Sequence, residues 1–246
     1  MDTSYIWHLF YLHRKKSIAL GLLLAMLSPN LQAQSSMRYR RIHLEGYDDK
    51  TIRYGFLFAA PVTRFNIKYS DAYVSSDSAH QLYSPSKVGF RVGFVMNTIL
   101  SEHFDVRITP AVSLYSRSVE YKYPGGTGKK EVRESTWLEF PVLLKYKSKR
   151  RMNSRMYVVG GGSLGIETNV RRREVAGSSR LLTKNRDLTV EYGVGFEQFF
   201  EFFKFAPEIR FSHGLVNLFE PVQGNAANIG IQKLRTHTIT LYLTFE

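Results

Sequence analysis

An alternation with a period of two residues recurs along most of this chain and constrains its fold more than any other feature. Bulky apolar and aromatic residues occupy one set of positions, and small or polar residues occupy the positions between them. Such a period is that of a β-strand with two different faces. No run of about 18 apolar residues follows residue 34, so we expect strands and no membrane-spanning helix. Eight segments carry the pattern: 52–60, 88–97, 104–116, 136–146, 155–166, 188–197, 203–212 and 238–245.

The less bulky face of these segments consists of Gly, Ser and Thr with charges of both signs. An eight-stranded barrel has an interior just wide enough for side chains to fill, and opposite charges can pair there. A uniformly bulky outer face then suits lipid, whereas a soluble barrel would turn it inward. The sequence therefore predicts an all-β fold, an eight-stranded antiparallel transmembrane β-barrel with the up-and-down meander of OmpX and OmpA, in the outer membrane. The charges predicted to line the lumen are Arg53, Arg91, Arg107, Glu139, Glu191, Glu208 and Arg210.

The connections between the predicted strands alternate between long and short. Outer-membrane barrels have short periplasmic turns and long outer loops. We therefore expect the short connections and both termini in the periplasm, with residues 34–51 as a periplasmic arm before a barrel of residues 52–246. Arg and Tyr are frequent in this arm, so residues 34–50 could help to dock a partner, with an unstructured leader as the alternative.

The first 33 residues have the pattern of a cleaved signal peptide. The basic run Arg14–Lys16 precedes the uncharged segment Ser17–Leu27, and Pro29 then interrupts any helix. We predict cleavage between Ala33 and Gln34; an N-terminal anchor helix is the alternative, but the apolar segment is short for one. The chain contains no cysteine, which excludes disulfides, thiolate metal sites and lipidation of a cysteine.

Two local motifs could indicate chemistry. Gly160–Gly165 has the GxGxxG spacing of dinucleotide sites, but no amphipathic helix follows it, so we expect glycines that relieve crowding in a narrow barrel. His213 lies near a strand end, as does the catalytic histidine of outer-membrane lipid A deacylases. In those enzymes a serine follows the histidine, whereas here Ser212 precedes it and alternates to the other face. The remaining histidines show no metal-ligand spacing, and we expect no cofactor and no metal.

The net charge of +13 includes two basic clusters in predicted connections. Arg171, Arg172 and Arg173, in a predicted outer loop, could bind phosphates of lipopolysaccharide. The second cluster could dock an acidic periplasmic partner and comprises Lys147, Lys149, Arg150, Arg151 and Arg155. Solvated loop charge is the alternative in both cases. An exported barrel is not expected to bind nucleic acid.

The strand series resembles the PorT family of outer-membrane barrels from Bacteroidetes over roughly residues 50–246. The residues that carry the resemblance are Leu138–Tyr146 (LEFPVLLKY), the glycine-rich Tyr157–Gly162, Tyr192–Gly195 and Ala206–Leu215. The resemblance implies an accessory component of the type IX (Por) secretion system, which delivers proteinases and adhesins to the cell surface. Its partners would be other secretion subunits and outer-membrane lipid. It implies no catalytic residues and no small-molecule substrate. A lipid A-modifying enzyme using His213 and a structural or adhesive small-porin-like barrel are the alternatives.

Overall fold

The computed structural model describes residues 42–75, 81–122, 128–168, 183–220 and 230–246. A short 3₁₀-helix, Glu45–Tyr47, precedes the first strand, and one short helix, α1 (Asp71–Ser75), follows it. The strands are β1 (Ile52–Tyr69), β2 (Gln81–Tyr83), β3 (Lys87–Val88), β4 (Phe90–Ile99), β5 (Phe104–Ile108), β6 (Ala111–Lys122), β7 (Gly128–Lys147), β8 (Ser154–Glu167), β9 (Arg186–Phe199), β10 (Lys204–Gly214) and β11 (Ile231–Phe245). No helix among the described residues is long and apolar enough to cross a membrane.

The strands form a closed antiparallel ring of eight. β3 and β4 together pair with β1, and β5 and β6 act as one strand between β4 and β7. The ring then runs in chain order from β7 to β11, and β11 closes it by pairing with β1 from Phe56↔Phe245 to Tyr69↔Ile231. The structure thus confirms the predicted eight-stranded antiparallel barrel with an up-and-down meander.

Several strands are longer than the alternation of apolar residues predicted. β1 continues to Tyr69 instead of ending near residue 60, and the β6–β7 hairpin is paired as far as Lys122↔Gly128. The predicted strand ends at residues 60, 116 and 136 are therefore wrong. Beyond the membrane the outward residues become polar. The alternation of apolar and polar residues therefore ends there, although the backbone pairing between the strands continues.

The apolar face points outward, as a membrane barrel requires. On β1 the outward positions from Ile52 to Val62 are mostly large, exposed apolar residues, whereas the intervening Arg53, Leu57 and Ala59 are buried. Ten residue steps at about 3.4 Å, tilted by about 40°, give an apolar belt roughly 26 Å tall. This height matches the roughly 25 Å apolar band of outer-membrane barrels.

Candidate functional site

The barrel interior holds the densest group of charged side chains. The first cluster of this group lies at the end of the barrel that carries the short turns. Glu197 is fully buried on β9, and its carboxylate accepts hydrogen bonds from Lys145 of β7, Arg155 of β8 and Lys204 of β10. Lys204 Nζ also lies 2.8 Å from Glu246 Oε2. Inward positions on adjacent strands place these groups at one level, so three cations surround one carboxylate.

Asp105 forms a second centre beside the first. Its two carboxylate oxygens accept from Arg53 Nη2 at 3.1 Å and from Lys147 Nζ at 2.7 Å. All three side chains are buried. Asp105 lies on β5 opposite Lys145 of β7, which joins this centre to the one around Glu197.

The middle of the lumen is crossed by a chain of ion pairs around Glu208. Arg107 Nη1 donates to Glu208 Oε2 at 2.7 Å, and Arg210 donates to Glu208 Oε1 and, at 2.9 Å, to Glu191. Tyr157 donates its hydroxyl to Glu208 at 2.8 Å. Because these residues belong to several different strands, their pairing ties the walls of the barrel together across its width.

Further toward the long connections, Arg91 pairs with Glu139, and its guanidinium also donates to the hydroxyls of Tyr115 and Tyr242. Arg117 lies above them. Its Nε donates to Thr63 Oγ1 at 3.0 Å, and its guanidinium carbon lies 4.2 Å from the Tyr115 ring centroid. Apolar residues then fill this end of the interior: Phe65, Leu82, Val119, Tyr121, Leu218, Phe219, Ile231 and Leu234.

Tyr47 occupies the opposite end, below the Glu197 centre. Its ring packs edge-on against Phe199 at 5.4 Å, and its hydroxyl donates to Glu246 Oε2 at 2.6 Å. Burial raises the pKa of Tyr47 well above its ordinary value, and the nearby Glu246 carboxylate raises it further. Tyr47 therefore stays protonated as a hydrogen-bond donor. Arg150, in the β7–β8 turn, holds the same segment by donating to the carbonyls of His43 and Leu44.

The seven charges predicted to line the lumen all lie on inward positions. Six are nearly inaccessible to solvent, and Glu139 is partly accessible but pairs with Arg91. Sequence reasoning did not assign several further interior charges to the lumen. Those that take part in the ion pairs are Asp105, Lys145, Lys147, Arg155, Glu197, Lys204 and Glu246, and Arg117 packs on the Tyr115 ring. Strand parity alone places Lys145 and Lys147 with Leu143 on one face, and this signal could have identified both.

The second basic cluster does not form one surface. Lys147 and Arg155 are buried in the ion pairs of the lumen, Arg150 contacts the segment before β1, and Lys149 and Arg151 are exposed. Of this cluster, only Lys149 and Arg151 thus face solvent at the level of the turn, and Lys149 pairs with Glu102. Arg171, Arg172 and Arg173, and the cleavage residues Ala33 and Gln34, lie outside the described residues.

The glycine run and His213 also have clear places. A Cβ at Gly161 would lie 2.2 Å from the Val142 carbonyl oxygen, whereas one at Gly160 meets nothing within 4 Å.

His213 points outward from β10, where Tyr192 Oη lies 3.0 Å from its Nε2 and His237 Nδ1 lies 3.0 Å from its Nδ1. Ser212 is on the opposite, inward face. Among the described residues no group of three or more His, Asp or Glu side chains could hold a metal ion.

Comparison with known proteins found a family model and solved structures that match this chain. Residues 32–220 match the model of a family described as outer membrane protein beta-barrel domain. The crystal structure of the outer membrane protein OprG from Pseudomonas aeruginosa is similar, with 16% identity and a TM-score of 0.46; the match covers 79% of this chain and 92% of that chain. No curated protein sequence matches.

Proposed function

The chain belongs to the outer membrane protein β-barrel domain family, and from this premise we propose that it is a non-enzymatic accessory subunit of the type IX (Por) secretion system. In this proposal it assists the delivery of proteinases and adhesins to the cell surface. Its partners are other secretion subunits, in the periplasm or the outer membrane, and outer-membrane lipid.

The observation that carries the accessory role is the filled interior. Arg107, Glu208 and Arg210 pair across the middle of the lumen, and Glu197 with its three cations occupies the level below. An eight-stranded barrel has room for little beyond such side chains. A secreted protein would need a far wider passage. Such a barrel acts on other proteins through its surfaces, as a scaffold or assistant for a larger pore.

The secretion role itself is supported by the resemblance of Leu138–Tyr146 and the other strands to the PorT family. In β7 the outward side chains of this motif are apolar, while its two charged residues, Glu139 and Lys145, pair with Arg91 and Glu197 inside the barrel. The charged residues of the motif thus stabilise the interior of the barrel. A test of the secretion role requires an experiment in cells.

The test is a deletion strain complemented with the wild-type gene. We expect surface proteinase activity to fall in the deletion strain and the unprocessed proteinases to accumulate inside the cell, with both effects reversed by complementation. Unchanged surface activity in the deletion strain would overturn the secretion role. Adhesion of the same cells to a host-cell surface tests the adhesive alternative.

The enzyme alternative depends on His213. This side chain is bonded to Tyr192 and His237 on the outer face, and Ser212 lies on the other side of the sheet. Mass spectrometry of lipid A from the wild-type and deletion strains tests it. Our proposal expects identical lipid A species, and a difference that His213→Ala also produces would establish the enzyme.

We propose that residues 34–41 contact a secretion partner, because residues 42–50 already pack on the barrel through Tyr47 and the contacts of Arg150. Deleting 35–41 keeps those contacts and the predicted cleavage site. We expect normal insertion but reduced surface proteinase activity. The matched control deletes three residues, 35–37, and retains the basic run from Arg38. Wild-type secretion by the longer deletion would contradict the docking role.

A further inference from the structure

Four cations lie together on the outer surface of β1 and β11, above the apolar belt. They are Arg64 and Lys68 of β1 and Lys233 and Arg235 of β11, and we refer to them as the basic flank. All four are exposed, and none forms an ion pair with a described carboxylate. Arg64 pairs across the ladder with His237, and Lys68 with Lys233. Like charges side by side on adjacent strands repel one another. A bound anion would remove this repulsion, so the basic flank is a candidate anion-binding surface.

The depth of the basic flank follows from the belt below it. On β1 the outward apolar residues end at Val62, and the next outward residue is Arg64. On β11 the corresponding step runs from Ile239 to His237 and then to Arg235. Since the belt is roughly as tall as the apolar core of an outer membrane, the basic flank lies at the level of the lipid headgroups.

A row of polar aromatic rings marks the same boundary. Tyr192 Oη lies 3.0 Å from His213 Nε2, and the rings of His213 and His237 are 4.7 Å apart. Rings with an apolar body and a polar edge collect at membrane interfaces. His237 is adjacent to Arg64 in the ladder, so this row and the basic flank form one continuous strip at the interface.

The opposite side of the barrel differs in charge at comparable height. There Lys130 Nζ lies 3.0 Å from Glu120 Oε1, and Glu134 is a further exposed acid on β7. Among the described residues, the basic flank thus carries four cations without an acidic partner, whereas Lys130 on the opposite side is paired.

We propose that the basic flank binds the phosphate groups of lipopolysaccharide in the outer leaflet. Guanidinium groups match phosphate oxygens in pairs, and ammonium groups add point charge. Arg64 and Lys68 are four residues apart, roughly 14 Å along the strand, so separate phosphates of one lipid can be contacted at once. The headgroup of a zwitterionic phospholipid contains its own ammonium group and has no net charge. Such a lipid therefore neutralises the four cations of the basic flank poorly.

This inference requires that the long connections face outward, and it does not depend on the secretion role. The basic flank lies at the end of β1 and β11 that is remote from Tyr47 and the short turns. Arg171, Arg172 and Arg173 belong to a different stretch of the sequence, so the two sets of arginines can be substituted independently.

The test uses full-length protein extracted in detergent from outer membranes and titrated with purified lipid A. The variant is Arg64→Gln/Arg235→Gln, and the matched control is Lys122→Gln/Lys130→Gln on the opposite side. Each basic residue near an anionic lipid surface contributes a factor of about five, so we expect roughly 25-fold weaker binding by the variant. The control should bind as the wild type does, and all three proteins should keep the gel mobility of a folded barrel.

Two further titrations make the inference specific to the lipid phosphate. Enzymatically dephosphorylated lipid A should bind the wild type as weakly as phosphorylated lipid A binds the variant. Vesicles of phosphatidylethanolamine should not compete. Equal loss in variant and control, equal binding of dephosphorylated lipid A, or effective competition by phosphatidylethanolamine would each overturn the proposal.

Discussion

Glu197 accepts hydrogen bonds from Lys145, Arg155 and Lys204, and each of these cations is buried. Removing one partner of a buried ion pair leaves uncompensated charge, which typically costs about 3–5 kcal/mol. Glu197→Gln should therefore lower the free energy of unfolding by an amount in this range. The measurement is the temperature at which the folded gel band converts to the unfolded one.

The control for this prediction is Glu102→Gln. Glu102 pairs with Lys149 at 3.7 Å, but both side chains are about three-quarters exposed, so the pair contributes little. We expect its conversion temperature to match the wild type. A similar fall in conversion temperature in both variants would mean that the buried ion pairs of the lumen stabilise the barrel no more than an exposed pair does.

Two adjacent glycines of β8 should respond in opposite ways to the same change. Gly161→Ala places a Cβ 2.2 Å from the Val142 carbonyl oxygen and 2.9 Å from Leu143 Cα, so backbone must move, at about 1–3 kcal/mol. Gly160→Ala meets nothing within 4 Å and should leave stability unchanged or slightly higher. Urea titration of refolded barrels measures both. Equal effects would refute the steric account of the glycine run.

At the scale of the strand, the alternation was sufficient to predict the existence and facing of all eight transmembrane strands. It failed at their ends. Beyond Val62 the outward residues are Arg64, Asn66 and Lys68, so the apolar signal disappears while pairing with β11 continues to Tyr69. The end of the belt and the end of the strand are therefore two different boundaries, and the pattern of apolar residues reports only the first.

The strand also explains which interior charges could be predicted. Arg53 and Glu191 lie between bulky residues, where a charge is conspicuous. Lys147 lies just beyond the predicted strand 136–146 and leads into Lys149 and Arg150, a run with the composition of a loop. The pairing of Lys147 with Asp105 depends on the register between β5 and β7, which one sequence does not reveal.

Depth within the apolar belt predicts how β11 tolerates a charge. Leu241 lies deeper in the belt than Ile239, which is one outward position below His237, and both side chains are exposed on the outer face. Leu241→Arg should cost about 2–4 kcal/mol and strongly reduce insertion, while the cost falls toward about 0–1 kcal/mol near the interface, at Ile239→Arg. The yield of heat-modifiable protein in outer-membrane fractions measures the difference. An equal yield from the two variants would mean that the assigned depth of Leu241 and Ile239 in the apolar belt is wrong.

At the scale of the whole molecule, the orientation in the membrane can be tested because the chain contains no cysteine. Lys130 lies on the long β6–β7 hairpin and Lys149 on a short turn, and both side chains are exposed. With the long connections outside, a membrane-impermeant maleimide should label Lys130→Cys on intact cells. Lys149→Cys should react only after the outer membrane is opened.

Labelling of Lys149→Cys, and not Lys130→Cys, on intact cells would reverse the orientation. It would also place the basic flank in the inner leaflet and exclude lipopolysaccharide as its ligand. The gel mobility of both variants with and without heating verifies that each is folded before the labelling is interpreted.

The ion pairs around Glu197, Asp105 and Glu208 have a consequence for how the barrel is built. Arg53 of β1 pairs with Asp105 of β5, and Arg107 of β5 pairs with Glu208 of β10, so these ion pairs form only when strands distant in sequence meet. A half-formed sheet would carry desolvated, uncompensated charge, which low-dielectric surroundings penalise heavily. Partial assemblies in the bilayer are consequently unstable. Insertion, closure and neutralisation therefore proceed together, as one cooperative event.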